Sequence, residues 1–455
     1  MAVAPIPVAS EDDADAVTRP WPRASYAWGI AIMLGLASAF SHADRTVMSL
    51  TVTPVKAEFG LDDTHFGMLQ GLAFGLFYMV CSIPIGRLAD TYQRRIVIGI
   101  SLGFFSLFAM ASGLARSFTQ LFITRVGVGV GEASVTPTGM SLLTDLFPPE
   151  KLGRAASLFF LSTPLGLGLS LIAGGKLLTE LNYLDSIGDI PFGLAPWQAA
   201  FILVGFPGLL LAPFFLTIRE PERRGKRAAT PLSIRQVLSV MNERRRVLAL
   251  MFAGFSMVPL VNIAFNVWTP ALFERVYGWT PAEVGLGFGL LLITCGVSGV
   301  IFAGWVCDRL AQAGYKDAQL LVAALCYLPC GLFAACAPLM PTAWGALALL
   351  APALFLSNVP LSCAGVAFQL ILPNRCRAQV TGVFIMLTGL VGQGFGPVLI
   401  GYLNDTLFTG QDGIRYTMAI VVGAAAPIMS ILVLAARPSY RRARAADDGL
   451  AASEA

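Results

Sequence analysis

Gly86-Arg87-Leu88-Ala89-Asp90-Thr91-Tyr92-Gln93-Arg94-Arg95 is a short polar break between two long apolar runs, near 65–86 and 96–115. A helix needs about 20 mostly apolar residues to cross the hydrocarbon core of a bilayer. Two such runs joined by a basic break therefore read as two membrane-crossing helices with their connection held at one face. The same pattern continues outward in both directions. Further runs lie near 27–54, 120–146, 154–179, 197–217, 247–272, 283–306, 318–337, 344–371, 379–402 and 416–436, which makes twelve spans. Of the 455 residues, 56% are hydrophobic and 13% charged, where a soluble domain carries about 25% charged residues. The expected fold is an all-α integral membrane protein of twelve transmembrane helices in two six-helix bundles.

Charge placement orients the spans. Of the 31 Lys and Arg, 24 fall in the segments on the side of the two termini, five on the other side, and two, Arg45 and Arg125, inside spans. By the positive-inside rule both termini are cytoplasmic. The expected organisation is a cytoplasmic tail (1–26), a first six-helix bundle (27–218), a cytoplasmic linker (219–246), a second bundle (247–436) and a cytoplasmic tail (437–455). Tail 1–26 ends in Arg19 and Arg23 and the first apolar run is too long for a cleavable signal, so that run is read as a span. In the linker, Ile234, Val237, Leu238 and Met241 recur at helical spacing beside Arg235 and Arg244–Arg246. This fits either an amphipathic helix on the inner membrane surface or a disordered basic connection.

The two halves echo each other. Gly304-Trp305-Val306-Cys307-Asp308-Arg309 follows the eighth span as Gly86–Arg95 follows the second. Small residues allow close helix approach, and an aspartate there can cap a helix or pair across the loop. Gly86, Asp90, Arg94, Arg95, Asp308 and Arg309 are thus candidate gating residues. The Gly-x-x-x-Asp-x-x-x-Arg-Arg spacing resembles the cytoplasmic signature of the major facilitator superfamily, with Tyr92 where that signature has glycine. That resemblance implies parallel six-span halves, each of inverted three-helix repeats, and alternating access. Asp44-Arg45-Thr46-Val47, Arg125-Val-Gly-Val-Gly-Val-Gly-Glu132-Ala-Ser134 and Trp268-Thr-Pro-Ala-Leu272 further resemble the Spinster group of lipid transporters. The resemblance implies a transporter of an amphipathic lipid-like anion, of lysophospholipid or sphingoid phosphate type. It also associates the acidic and basic residues of helices one and four with transport and proton coupling.

Four ionisable residues lie at membrane depth: Asp44 and Arg45 on the first span, Arg125 and Glu132 on the fourth. Glu132 is eleven residues past Leu121, about 16 Å along a helix and close to mid-bilayer. A charge at that depth costs about 2.5–3.5 kcal/mol on insertion scales, so these residues must pair or line a wet cavity. Two acids and two bases allow mutual pairing, Asp44 with Arg125 preferred. Glu132 and Asp44 are the proton-coupling candidates. Desolvation raises a carboxyl pKa and a neighbouring arginine lowers it, and protonating Glu132 would leave the cluster with a net +1 charge. Arg125 and Arg45 are the candidate anion donors. The helices of the second half hold no comparable charge in this reading. Asn262, Asn266 and Asn358 there, with Gln369, either meet substrate or hydrogen-bond between helices. Gly127, Gly129 and Gly131 leave room for backbone approach or for ligand. His42 either joins the charged network or fills an interfacial position.

Other classes find little support. Eight cysteines lie mostly inside apolar runs, and His42 and His65 are the only histidines, so neither a disulfide framework nor a metal site is expected, and no cofactor. Gly175-Lys176 has Ser170 and Leu177 at the other two key positions of an ATP-binding loop. No basic stripe with interleaved aromatics suggests nucleic acid. A drug or metabolite exporter on the same fold is the alternative within transport. Outside it, a lipid-modifying enzyme using Asp44, Glu132 and His42 lacks a nucleophile. The chain is expected to be no enzyme but a monomeric, multi-pass protein of a bacterial inner membrane, with membrane lipids, protons and an amphipathic substrate as partners.

Overall fold

The computed structural model describes residues 21–223, 234–372, 376–408, 410 and 412–454. The expected tail residues before Trp21 and the middle of the linker lie outside that set. Among the described residues twelve spans are present. They are α1 (Ala24–Leu50), α2 (Asp63–Met68, Leu69–Leu76 and Phe77–Thr91), α3 (Arg94–Ser112), α4 (Phe118–Glu132 and Val135–Leu146), α5 (Pro149–Ser186) and α6 (Pro196–Thr217). The second half holds α7 (Arg245–Tyr277), α8 (Pro281–Gln312), α9 (Ala318–Cys336), α10 (Ala343–Ser357 and Val359–Ile371), α11 (Arg377–Gly389, Leu390–Phe395 and Gly396–Leu407) and α12 (Gly413–Glu454). Eleven of these are long and apolar enough to cross a membrane. The other, α4, is broken at Ala133-Ser134, so neither piece alone reaches the length of a span.

Several expected boundaries move. α1 stops at Leu50 and the chain continues as the short helix Val52–Phe59. α7 runs on to Tyr277, which brings Glu274 and Arg275 into a helix of the second half. That corrects the reading of a second half without comparable charge, because hydropathy ends a span where charge begins although the hydrogen-bonded helix does not. α12 likewise continues as helix to Glu454, where a tail was expected from 437. In the linker, Ile234–Glu243 is helical. Val237 is buried against the core of the second half while Leu238 stays exposed.

At the end carrying the termini, each half is braced internally. Buried Arg94, at the start of α3, pairs with Asp145 of α4, with Glu220 beyond α6 (2.8 Å) and with the Pro221 carbonyl (2.8 Å). Arg95 donates to the carbonyl oxygen of Ile218 at 2.9 Å. In the second half Asp317 meets Arg437 (2.5 Å) and Arg441 (3.0 Å) of α12. Arg309 lies 4.3 Å over the Trp305 ring, both exposed, as is Asp308. The side chain of Asp90 is outside the described set. Arg94 and Arg95 thus brace the first half, and Asp317 with Arg437 and Arg441 braces the second.

The halves meet along α5 with α8 and α2 with α11, tightly at one end only. A Cβ on Gly285 of α8 would stand 2.3 Å from the Leu171 carbonyl oxygen of α5, and one on Gly401 of α11 would stand 2.3 Å from that of Asp63. Real Cβ atoms do not approach so closely, so backbones touch there only because both residues are glycine. At the end carrying the termini, a Cβ on Gly86 or on Gly304 meets nothing within 4 Å. Those two glycines were expected to bring helices together, and here they face open space. The bundle is sealed at the far end and open at the end with the termini.

Two outcomes follow. Gly285→Leu is expected to open the sealed end, raising several-fold the labelling rate of a cysteine placed at Ile172, which borders α8, in a background without reactive native thiols; Gly86→Ala is expected to leave that rate unchanged. Burial alone would raise the Asp317 carboxyl, but Arg437 and Arg441 outweigh it and hold it below the ordinary carboxylate value. A depressed carboxyl stabilises above its unfolded pKa, and that contribution is lost as the pH falls through the folded value. Thermal unfolding in detergent is therefore expected to drop on acidification, and more shallowly in Asp317→Asn than in the unsubstituted chain.

Candidate functional site

The four charges of α1 and α4 form two ion pairs of different character. Arg125 donates to both oxygens of Asp44, at 2.8 and 3.0 Å, and to the Ser112 hydroxyl at 2.7 Å. Its guanidinium lies 5.1 Å from the centre of the Phe201 ring. Arg125 is 2% exposed and Asp44 1%, and neither lines the polar or the apolar chamber described below. This pair is dry. It ties α1, α3 and α4 together and leaves Arg125, expected to meet substrate, with no open face.

The second pair is wet. Arg45 of α1 pairs with Glu132 of α4 through both its Nε and a terminal nitrogen. Its guanidinium stands 4.3 Å over the Phe74 ring of α2, a cation–π contact of about 1 kcal/mol where partly exposed. Arg45 keeps 23% of its side chain accessible. Both residues line a polar cavity of about 190 Å³ with Ser41, His42, Tyr78 and Gln393. The glycines of α4 do not border it. A Cβ on Gly129 would meet the Phe74 carbonyl oxygen at 2.5 Å, and one on Gly131 the Phe105 backbone at 2.7 Å. They serve packing against α2 and α3.

Beside the polar cavity lies an apolar one of about 720 Å³ between α5, α7, α8, α9 and α10. Phe160 and Thr163 of α5 border both, so the two adjoin. Asn262, Asn266 and Asn358 line the apolar chamber. Each asparagine that donates inward does so to its own helix: Asn266 to the Asn262 carbonyl (2.8 Å) and Asn358 to the Leu354 carbonyl (3.0 Å). Gln369 is exposed and borders neither chamber.

The ionic contact between the halves is at the sealed end, in residues that sequence reading passed over. Asp63, the first residue of α2 and 2% exposed, accepts from Arg275 of α7 at 2.9 Å through both oxygens and pairs with Lys56. Asn404 of α11 donates to it at 2.5 Å. Asp405 of α11 accepts from the backbone N–H groups of Asp63 (3.1 Å) and Thr64 (2.7 Å). A carboxylate of one half thus caps a helix of the other, where the helix dipole favours it. The signal was present in Asp62-Asp63 and Asn404-Asp405, but four residues scattered over 342 positions show no pattern until packed.

Twelve spans around a buried polar cavity that adjoins a larger apolar one are the architecture of a membrane transporter. Residues 34–397 match the Major Facilitator Superfamily, and the chain belongs to that family. A protein of Mycolicibacterium smegmatis described as an MFS-type efflux pump is 27% identical over 435 residues, 94% of this chain and 96% of its own. Protein spinster homolog 1 of Mus musculus is 28% identical over 407 residues, 83% of this chain and 73% of its own. The crystal structure of a bacterial homolog of the human lysosomal transporter Spinster, inward-facing and unoccupied, superposes with a TM-score of 0.74 at 23% identity, covering 93% of this chain and 98% of that one. The chain is therefore a multi-pass transporter resembling the Spinster homologues, and not an enzyme.

Removing one member of a buried pair strands the other and costs about 3–5 kcal/mol. Asp44→Asn should therefore lower the unfolding temperature of the purified protein sharply. The double change Asp44→Leu with Arg125→Met should recover most of the loss, whereas Arg45→Ala should cost less than Asp44→Asn, because the Glu132 it leaves unpaired borders a cavity.

Proposed function

We propose that the protein is a proton-coupled secondary transporter of an amphipathic, lipid-like anion. The observation that carries this reading is the joint between the two chambers at Phe160 and Thr163, which sets a polar pocket holding the Arg45–Glu132 pair against a larger apolar one. A single-chain lipid with an anionic headgroup matches both at once. Glu132 already occupies Arg45, so headgroup and carboxylate compete for the same guanidinium. Protonating Glu132 releases Arg45 to the headgroup, and deprotonation recaptures it. This competition couples one proton to one anion. Arg45 then takes the substrate role and Glu132 the proton, while Asp44 and Arg125 act as the fixed frame. Asn262, Asn266 and Asn358 offer the few polar contacts along the tail.

The bias of 24 Lys and Arg to five supports cytoplasmic termini, which makes the open end cytoplasmic and the Asp63–Arg275 seal external. In this arrangement the seal and the inner opening alternate, and the two halves rock about the central site as monomeric units of a bacterial inner membrane.

In proteoliposomes, uptake of a labelled lysophospholipid driven by a pH gradient is expected for the unsubstituted chain. Glu132→Gln should retain exchange of lipid and lose its response to the gradient. Arg45→Ala should lower transport on the order of tenfold or more, the size expected when a charge-assisted contact is removed. Gradient-driven uptake of full size in Glu132→Gln would sink the coupling assignment. Transport of uncharged apolar compounds with indifference to Arg45→Ala would favour a drug exporter instead.

A further inference from the structure

His42 stands one turn before Arg45 on α1 and borders the same polar cavity. The structure fixes the chemistry of its ring. Nδ1 is buried and has no hydrogen-bond partner. Cδ2 of the same ring lies 3.3 Å from where a Cβ on Gly166 of α5 would be, so the ring is seated against that helix. A proton on Nδ1 would be an orphaned buried N–H, whereas an unmet lone pair there is the cheaper state. The ring's proton accordingly belongs on Nε2, the nitrogen not sealed away in this manner. Around it the cavity offers donors: the hydroxyls of Ser38, Ser41, Tyr78 and Thr136, the Gln393 amide and Arg45. The only carboxylate among the lining residues is Glu132, which Arg45 holds.

We propose that His42 is a specificity-determining residue, donating a neutral Nε2–H hydrogen bond to an oxygen of the anionic headgroup while Arg45 supplies the charge. The proposal rests on the headgroup reading above and deepens it. One cation with a fan of neutral donors suits an anion presenting several oxygens at once, a phosphate in preference to a carboxylate. A carboxylate has two oxygens, and a bidentate Arg45 engages both, leaving no oxygen outside its fork. A phosphate has oxygen left over, and His42 is placed to take it.

The test is binding of two single-chain probes to the protein in nanodiscs: an alkyl phosphate and the fatty carboxylate of equal chain length. The unsubstituted chain is expected to prefer the phosphate. His42→Phe keeps a ring against Gly166 and removes the donor, and should weaken the phosphate probe about tenfold with little change for the carboxylate. His42→Gln, which restores an N–H donor, should recover most of the phosphate preference. Equal loss for both probes in His42→Phe, or no loss for either, would overturn the proposal while leaving the headgroup reading intact. Failure of the unsubstituted chain to bind either probe, or binding indifferent to Arg45→Ala, would overturn the headgroup reading and this inference with it.

Discussion

Four full charges on two neighbouring helices, in a bundle whose surroundings are apolar, must find each other or find water, and the structure uses both solutions. Asp44 and Arg125 find each other, with Ser112 and the face of Phe201 beside them and only the Arg125 Nε left without a hydrogen-bond partner among its nitrogens. Arg45 and Glu132 also pair but remain against a cavity. The two pairs are built from adjacent residues on α1 and from residues two turns apart on α4, so locking the first fixes the position of the second. A buried bidentate pair is poor value as a source of stability, since apolar packing of equal volume does as well. Its worth here is register: α1 and α4 cannot slide without stranding a charge. On the proposed reading, that rigid frame would let the wet pair beside it change state without the helices moving apart.

The remainder of the architecture distributes tightness unequally along the two helix pairs that join the halves. At the sealed end, glycines admit backbone contact and Asp63, Arg275, Asn404 and Asp405 lace α2, α7 and α11 together. At the other end comparable glycines border empty space. A transporter needs both ends to close in turn, so neither closure can be overwhelming. Ion pairs and capping hydrogen bonds suit that need, because water replaces them at modest net cost when they separate. An apolar seal of the same area would be harder to reopen. α2 and α11 each contain a π-helical stretch, Leu69–Leu76 and Leu390–Phe395, and the two face each other where Gly71 meets the Gly394 carbonyl. Such stretches loosen the regular hydrogen-bond ladder at the point where both helices must pass from packed to splayed.

The twelve spans were readable because lipid imposes a length and an apolar composition on each. The Asp44–Arg125 pair was readable for a related reason: charge at that depth needs an opposite charge, and few candidates existed. The seal between the halves was not. Lys56, Asp63, Arg275 and Asp405 sit where polar residues are ordinary, at the ends of spans, and nothing local distinguishes a solvated end from one held by the other half. The basic break at Gly86–Arg95 shows a further limit. Its charges satisfy an orientation rule and a fold brace together, and its spacing alone did not show that Arg94's partners lie in its own half. Arg125 and Arg45 were equivalent as candidates in sequence; only packing showed which of them keeps an accessible face.

That difference bears on how a neutral cluster can do work. With both pairs intact the tetrad carries no net charge and holds little attraction for an anion. A proton delivered to the dry pair would leave Arg125 charged where no ligand can reach it, and the result would be destabilisation without binding. On the proposed reading, the same proton delivered to Glu132 would free a guanidinium that already borders the cavity and already rests on Phe74. The chamber beyond is apolar and gives the freed charge no competing partner. Under that reading the substrate brings both an anion and an apolar surface, because the polar and apolar chambers adjoin.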